Sequence, residues 1–344
     1  MGAVELTSAA RDLTTTARMM MQAGKGILAM DESNPTANRR FAKLGIPQTV
    51  DARRAWRELI LTTPGLGEYI SSAILYDETI RQTASDGRPF LVLLAKAGII
   101  PGIKVDAGTK DLAAHPGEKV TEGLDRLRER LTEYRQMGAR FAKWRAVIAI
   151  GEGIPSPGCL LANAHALARY AGLCQEVGLV PIVEPEVLMD GGHTLERCAE
   201  VTEATLHVVF DQLHAQRILL EGIILKPNMV LSGADCPVQA GVEEVADTTV
   251  KVLLRTVPAA VPGIAFLSGG QSAEMASVRL NAMNVRWRDK APWALTFSFS
   301  RAIQQPAMDV WKGDARQASA AQAVLKQRAR ANGMARGGVY QPPS

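Results

Sequence analysis

Several chemistries are missing from this chain before any is present. The four cysteines, Cys159, Cys174, Cys198 and Cys236, include no CxxC spacing. That argues against a disulfide framework or a zinc knuckle and predicts reduced thiols in a cytoplasmic protein. The five histidines, His115, His165, His193, His207 and His214, show no HxH or HExxH spacing, so no His-built metal site is expected. His207 and His214 stand seven apart in a helical pattern and read as surface or satisfied core residues. Neither GxGxxG nor GxxxxGK[ST] occurs, so a dinucleotide or P-loop reading lacks its fingerprint. No apolar run reaches the roughly 18 residues of a membrane span. The opening MGAVELTSAARDL carries an early Glu, an Arg and an Asp, and no apolar run of signal-peptide length.

Charge excludes little and suggests one thing. A net charge of +4 on 344 residues falls short of a nucleic-acid footprint, and no stretch gathers it into a basic run. A weak positive field suits an anionic small-molecule substrate. With 47% hydrophobic and 22% charged residues, the chain has the balance of a globular domain with a large core.

What is present is an alternation. Short runs rich in Val, Ile and Leu are apolar at nearly every position: GILAMDES, SSAILYD, GIIPGIKVD, FAKWRAVIAI, LVPIVEPEV, GIILKPNMV, IAFLSGG and WALTFSFS. Strands of a parallel sheet, buried on both faces, read this way. Between them lie amphipathic patterns. In TEGLDRLRERLTEYRQMG, Leu124, Leu127 and Leu131 recur at helical spacing; Thr121 is the expected cap and Gly138 the expected stop. About eight such repeats predict a closed parallel barrel or a doubly wound sheet. No composition shift divides residues 1–332, which are expected to form one catalytic domain. Residues 333–344, Gly- and Pro-rich, are expected to form a mobile tail.

Polar residues collect by twos at the ends of these runs: Asp31 and Ser33, Lys104 and Asp106, Lys143 and Arg145, Glu184 and Glu186, Lys226 and Asn228. Residues two apart share a face of a strand. Helix-facing positions are apolar in such folds, so the pairs are predicted to face inward and toward the mouth. A single Lys–carboxylate pair reads equally well as a core ion pair. Five strands polar at the same end do not, because desolvating that many charges costs too much for packing alone. Lys226 follows four apolar or glycine residues, which predicts a desolvated amine, and a neutral amine attacks carbonyls. Pro227 and Pro185 hold Lys226 and Glu184 extended. A carboxyl in such a site can shuttle protons.

LSGGQS runs from a strand through two glycines into a helix pattern, a place for backbone N–H groups to cradle a phosphate, though a plain strand-to-helix turn fits it as well. Arg301, just past the last run, favours the phosphate reading.

From about Gln22 to about Gln304 the chain resembles the class I fructose-1,6-bisphosphate aldolases. GKGILAMDES, GIKVD, FAKWR, PIVEPEV, LKPNMV, FLSGGQS and WALTFSFSRA are similar to that family's signature segments, in its order. The resemblance implies a single-domain α/β fold, a (β/α)8 TIM barrel with an extra N-terminal helix. It implies reversible, cofactor-free and metal-free cleavage of fructose 1,6-bisphosphate to dihydroxyacetone phosphate and glyceraldehyde 3-phosphate. Lys226 is implied as the Schiff-base nucleophile and Glu184 as its acid/base partner. Asp31 and Lys143 are implied in carbon–carbon cleavage, Glu186 in ordering Lys143, and Ser298 in supporting Glu184. Ser268, Gly269 and Arg301 are implied at the C1 phosphate, with Ser300 beside them either crowding it or adding a donor. Ser33, Thr36, Arg40, Lys104 and Arg145 are implied at the other phosphate and the hydroxyls. A homotetramer is implied as well.

The chain departs from the family pattern in three places. Ser300 replaces a glycine, Asn34-Pro35 replaces a Thr-Gly pair, and the chain ends VYQPPS where eukaryotic members end on a tyrosine. Tyr340 is the residue left for that tyrosine's part, against a reading as loose tail. Two other functions remain open at this point: a Schiff-base lyase or transaldolase on another phosphosugar, and a silent barrel serving as a scaffold.

Overall fold

A computed structural model describes residues 8–342. Residues 1–7, on which the reading of no signal peptide partly rests, and the last two tail residues lie outside the described part. The strands are β1 (Gly26–Ala29), β2 (Ile70–Leu75), β3 (Ile100–Lys104), β4 (Gly108–Asp111), β5 (Lys119–Glu122), β6 (Phe141–Ile148), β7 (Val180–Val187), β8 (Ile224–Leu225), β9 (Gly263–Phe266) and β10 (Ala294–Phe299). The helices are α1 (Ser8–Met20), α2 (Asn34–Ala42), α3 (Val50–Leu61), α4 (Asp77–Ile80), α5 (Phe90–Lys96), α6 (Leu127–Met137), α7 (Pro157–Glu176), α8 (Leu195–Ala215), α9 (Val242–Thr256), α10 (Ala273–Trp287), α11 (Arg301–Trp311) and α12 (Ala318–Gly337).

Eight strands close a parallel barrel in the order β1-β10-β9-β8-β7-β6-β3-β2. All eight apolar runs supply one barrel strand each. The open choice between a barrel and a doubly wound sheet is thereby decided. Strands β4 and β5 form an antiparallel hairpin outside the barrel.

The period-two reading holds on β6 and fails for Asn228, which bonds Thr202 of α8 instead of sharing the inward face with Lys226. On β6, Phe141 packs in the inner cluster while Ala142, Trp144 and Ala146 pack outward beneath the helices. Trp144 stacks at a tilt on Tyr170 of α7, with ring centroids 5.6 Å apart, and the Tyr170 hydroxyl donates to the Ile182 carbonyl at 3.2 Å. The helix is thus pinned on β6 and β7. Gly102 has to be glycine, because a Cβ there would lie 2.3 Å from the Phe141 ring.

The N-terminal end of the barrel is closed by α1. Leu13, Ala17, Met20 and Met21 join Ile27, Ala29, Ile74, Phe141, Val180, Ile182, Ile224 and Ala265 in one buried cluster. The expected extra N-terminal helix is therefore the floor of the barrel, and the polar layer lies above it.

Three expectations change. Thr121 does not cap a helix; it lies in β5 and donates through its hydroxyl to the Arg145 carbonyl at 2.8 Å. Helix α6 starts later, at Leu127, and Gly138 ends it at φ 116° as expected. The tail is not loose from residue 333: α12 continues to Gly337, and Tyr340 is only 8% exposed. The Tyr340 N–H donates to Asn281 of α10 at 2.9 Å. Packing of Ala329, Gly333 and Ala335 outweighs the flexibility that their glycine-rich setting suggests.

Candidate active site

The polar layer is built by strand alternation. Asp31 follows β1, Lys104 ends β3, Lys143 and Arg145 lie on β6, Glu184 and Glu186 on β7, and Lys226 directly follows β8. The ladder continues through Lys226, whose N–H donates to the Val183 carbonyl at 2.8 Å. The register pairs Arg145 with Glu184 and Val147 with Glu186, so the side chains stack in two levels.

At the lower level Lys226, Glu184, Lys143 and Asp31 form a chain of ion pairs. Lys226 Nζ lies 3.0 Å from Glu184 Oε1, Lys143 Nζ lies 3.1 Å from Glu184 Oε2, and Lys143 Nζ lies 2.8 Å from Asp31 Oδ2. All four residues are buried. Burial alone pushes the Asp31 carboxyl up, but Lys143, then Lys226 and Lys104, outweigh it and hold its pKa at about 2. Burial likewise opposes ionisation of Glu184, and Lys143, Lys226 and Arg145 still leave it below the usual carboxylate range. Lys143 stands above the ordinary lysine range: desolvation works against its charge, and Asp31 and Glu184 more than restore it. Among the described residues Glu184 Oε2 receives no aligned hydrogen bond, and Ser298 Oγ, on β10, has no partner at all. Ser298 thus does not bond Glu184 in this state.

At the upper level Glu186 pairs with Arg145 rather than with Lys143, a diagonal contact, since its direct partner in the register is Val147. Burial opposes the Arg145 charge and Glu186 outweighs it, so its pKa is raised. Lys104 Nζ meets Asp106 Oδ1 at 2.8 Å. Asn228 turns away from the mouth: its amide donates to Thr202 of α8 at 3.2 Å, and its carbonyl oxygen accepts from the Val187 N–H at 3.0 Å.

Above the mouth lies a cavity of about 500 Å3, lined by Thr36, Arg39, Arg40, Lys43, Arg145, Arg301 and, as its one carboxylate, Glu32. Ser300 lines it too, but its hydroxyl donates to Glu32 Oε1 at 2.7 Å. Ser33 begins α2, and its hydroxyl donates to Thr36 Oγ1 at 3.1 Å. The glycine turn stands beside the cavity: Gly269 and Gly270 have φ of 58° and 91°, and Ser268 is buried next to them. A Cβ on Gly270 would lie 3.5 Å from Arg301 Nη2, so the guanidinium covers the turn. The structure therefore brings Arg301 and Ser300 into the same cavity as Thr36, Arg40 and Arg145. Lys104 is not among that cavity's lining residues.

Sequence reasoning missed Glu32. It is gripped by Arg40 and by Arg57, the latter at 2.8 Å, and accepts from Gln304 at 2.9 Å. Burial pushes its carboxyl up, but Arg57 and Arg40 hold it at about 2. Arg39 and Lys43 were missed too. Their spacing of four, with Arg39 on α2 and Lys43 at its C-terminal cap, matches that of Thr36 and Arg40 and was the available signal.

Comparison with known proteins agrees with this geometry. A family model described as fructose-bisphosphate aldolase class-I matches residues 12–344. A probable fructose-bisphosphate aldolase class 1 of Xanthomonas campestris pv. campestris is 57% identical over 330 residues, covering 96% of this chain and 98% of that one. The cytosolic fructose-bisphosphate aldolase 5 of Arabidopsis thaliana is 50% identical, covering 96% and 92%. The solved fructose-bisphosphate aldolase of Plasmodium falciparum, in complex with TRAP and a small-molecule inhibitor, superposes with a TM-score of 0.96 at 47% identity, covering 98% and 97%. An eight-stranded parallel barrel with two lysines sharing one buried carboxylate, matched along nearly its whole length, belongs to the class I fructose-bisphosphate aldolase family.

Proposed function

We propose that this chain catalyses the reversible retro-aldol cleavage of fructose 1,6-bisphosphate to dihydroxyacetone phosphate and glyceraldehyde 3-phosphate, with Lys226 as the Schiff-base nucleophile. The observation that carries the reading is Glu184 between two lysines, one oxygen to Lys226 at 3.0 Å and one to Lys143 at 3.1 Å. Glu184 is ionised at rest, so it can take the proton that Lys226 must lose before its amine adds to the C2 carbonyl. It then returns a proton to the carbinolamine hydroxyl, which leaves as water. The resulting iminium accepts the electron pair when the C3–C4 bond breaks, and Asp31, itself ionised, takes the C4 hydroxyl proton. Lys143 holds Asp31 and Glu184 in place. Ser298, with its hydroxyl free of partners, supports the Glu184 side during proton transfer. Glu186 acts one level higher, by fixing Arg145.

The five cations around the mouth cavity suit a substrate phosphorylated at both ends. Ser268, Gly269 and Arg301 are assigned to the C1 phosphate; Ser33, Thr36, Arg40, Lys104 and Arg145 to the distal phosphate and the sugar hydroxyls. The Ser300 hydroxyl serves by positioning Glu32. We assign the protein to the cytoplasm, in keeping with four free buried thiols, and to a homotetramer, which light scattering at four chain masses would register.

Borohydride added during turnover of fructose 1,6-bisphosphate should fix an adduct that maps to Lys226, and EDTA should leave the rate unchanged. Trapping on another lysine, or full activity in Lys226→Met, sinks the mechanism. Equal cleavage of fructose 1-phosphate would remove the distal phosphate from the reading.

A further inference from the structure

A second cationic cavity lies at the other end of the barrel. About 360 Å3 in volume, it opens between Ala23-Gly24, which lead into β1, the segment Trp293–Leu295 at the start of β10, and the last turns of α10 and α12. Its two charged lining residues are Arg288 and Arg336. Each guanidinium gives one hydrogen bond to a main-chain carbonyl, Arg288 to Gly337 and Arg336 to Met21. Among the described residues neither has a carboxylate partner. Arg336 Nη1 is shut off from solvent and makes no hydrogen bond.

This arrangement is costly as it stands. A buried donor without an acceptor forfeits its hydration for nothing, and the loss is larger when it is charged. Desolvation, and then the neighbouring Arg288 charge, push the Arg336 pKa down to about 10. Two guanidiniums lining one cavity without a counter-charge are what a compact oxyanion relieves: each can give it paired N–H donors. The volume sits near the lower end of small-molecule sites, which run from about 300 to 1,000 Å3, so a sugar-phosphate-sized ligand fits and a dinucleotide does not.

We propose that this cavity binds a compact phosphorylated metabolite between Arg288 and Arg336, at a site separate from the catalytic mouth. Asn284 and Trp293 complete its wall. The two strands it touches, β1 and β10, end at Asp31 and at Ser298 to Arg301, so its occupant bridges the roots of elements that carry the mouth.

The test is calorimetric titration with pyrophosphate of enzyme whose mouth is filled by the borohydride-reduced substrate adduct. If no adduct forms, which bears on Lys226 and not on this cavity, an Arg301→Met background replaces it. One saturable site should remain, and its affinity should fall at least tenfold in Arg336→Met and in Arg288→Met, with KM for substrate unchanged. Arg288 is exposed at the rim, so its variant carries the test if Arg336→Met does not fold. No remaining site, a site unaffected by both substitutions, or citrate bound as tightly as pyrophosphate would overturn the proposal.

Discussion

At the scale of single residues, two carboxylates beside the mouth tie stability to acid. Asp31 and Glu32 drop from 3.8 and 4.5 to about 2 on folding. A depressed carboxylate stabilises the fold above its unfolded pKa, and that contribution is lost as pH falls through the folded value. Between about pH 4.5 and 2 the protein should therefore lose stability, on the order of 2 kcal/mol from Asp31 and 3 kcal/mol from Glu32. Urea midpoints at a series of pH values measure this, and Asp31→Asn should flatten the curve over its lower part; an unchanged curve would contradict the assignment. Ser300 makes a separate case. Its φ of −106° demands no glycine, and its hydroxyl is committed to Glu32. Ser300→Gly, which restores the family residue, should cost about 1–2 kcal/mol through the lost hydrogen bond and added chain entropy. Its kcat should move less than about threefold, since Glu32 keeps Arg57, Arg40 and Gln304. A tenfold change in kcat would mean that the hydroxyl meets the substrate.

Among the elements, α1 has the plainest job, which is to seal the barrel floor. Met20 is fully buried there against the inner residues of the strands. Met20→Ala should cost about 2–5 kcal/mol with kcat unchanged, because the cavity opens below the polar layer and does not touch it. Denaturant midpoint and steady-state rate, taken together, check both halves; a matching fall in kcat would couple floor and mouth. Elements like the barrel strands were legible in the sequence because burial on both faces leaves an unbroken apolar run, and the switch to Lys, Glu or Asp marks where each strand meets the mouth. The hairpin β4–β5 was not legible. Its residues, such as Thr109, Lys110 and Lys119, are largely polar and exposed, so no burial pattern sets them apart from a loop. Helix α12 escaped for the opposite reason: Ala- and Gly-rich, it packs through backbone proximity rather than large side chains. The buried charges at the strand ends, Lys143, Glu184 and Lys226 among them, were legible by parity, whereas Asn228 broke it. Glu32, Arg39 and Lys43, which line the mouth cavity, were not legible, because they lie just before, on and at the end of helix α2, where a spacing of two carries no directional meaning.

For the molecule as a whole, charge is sorted along the barrel axis. The buried carboxylates and lysines occupy one end, an apolar plug the other, and a pair of arginines stands outside the plug. Packing on this scale also sets how the chain breathes. The four thiols are spread over the structure, with Cys159 and Cys174 on α7, Cys198 on α8 and Cys236 in the segment after β8, and all are buried. Burial raises the Cys159 thiol to about 11 and Cys174 higher still, so neither reacts until its surroundings open. Together they form a built-in clock. With a bulky aromatic disulfide in native buffer, Cys236, in a segment outside regular secondary structure, should be labelled first. Cys174 should be labelled last, at the rate at which α7 leaves the barrel. Reading the order by mass spectrometry would time the opening of one part of the barrel against another without a single engineered probe.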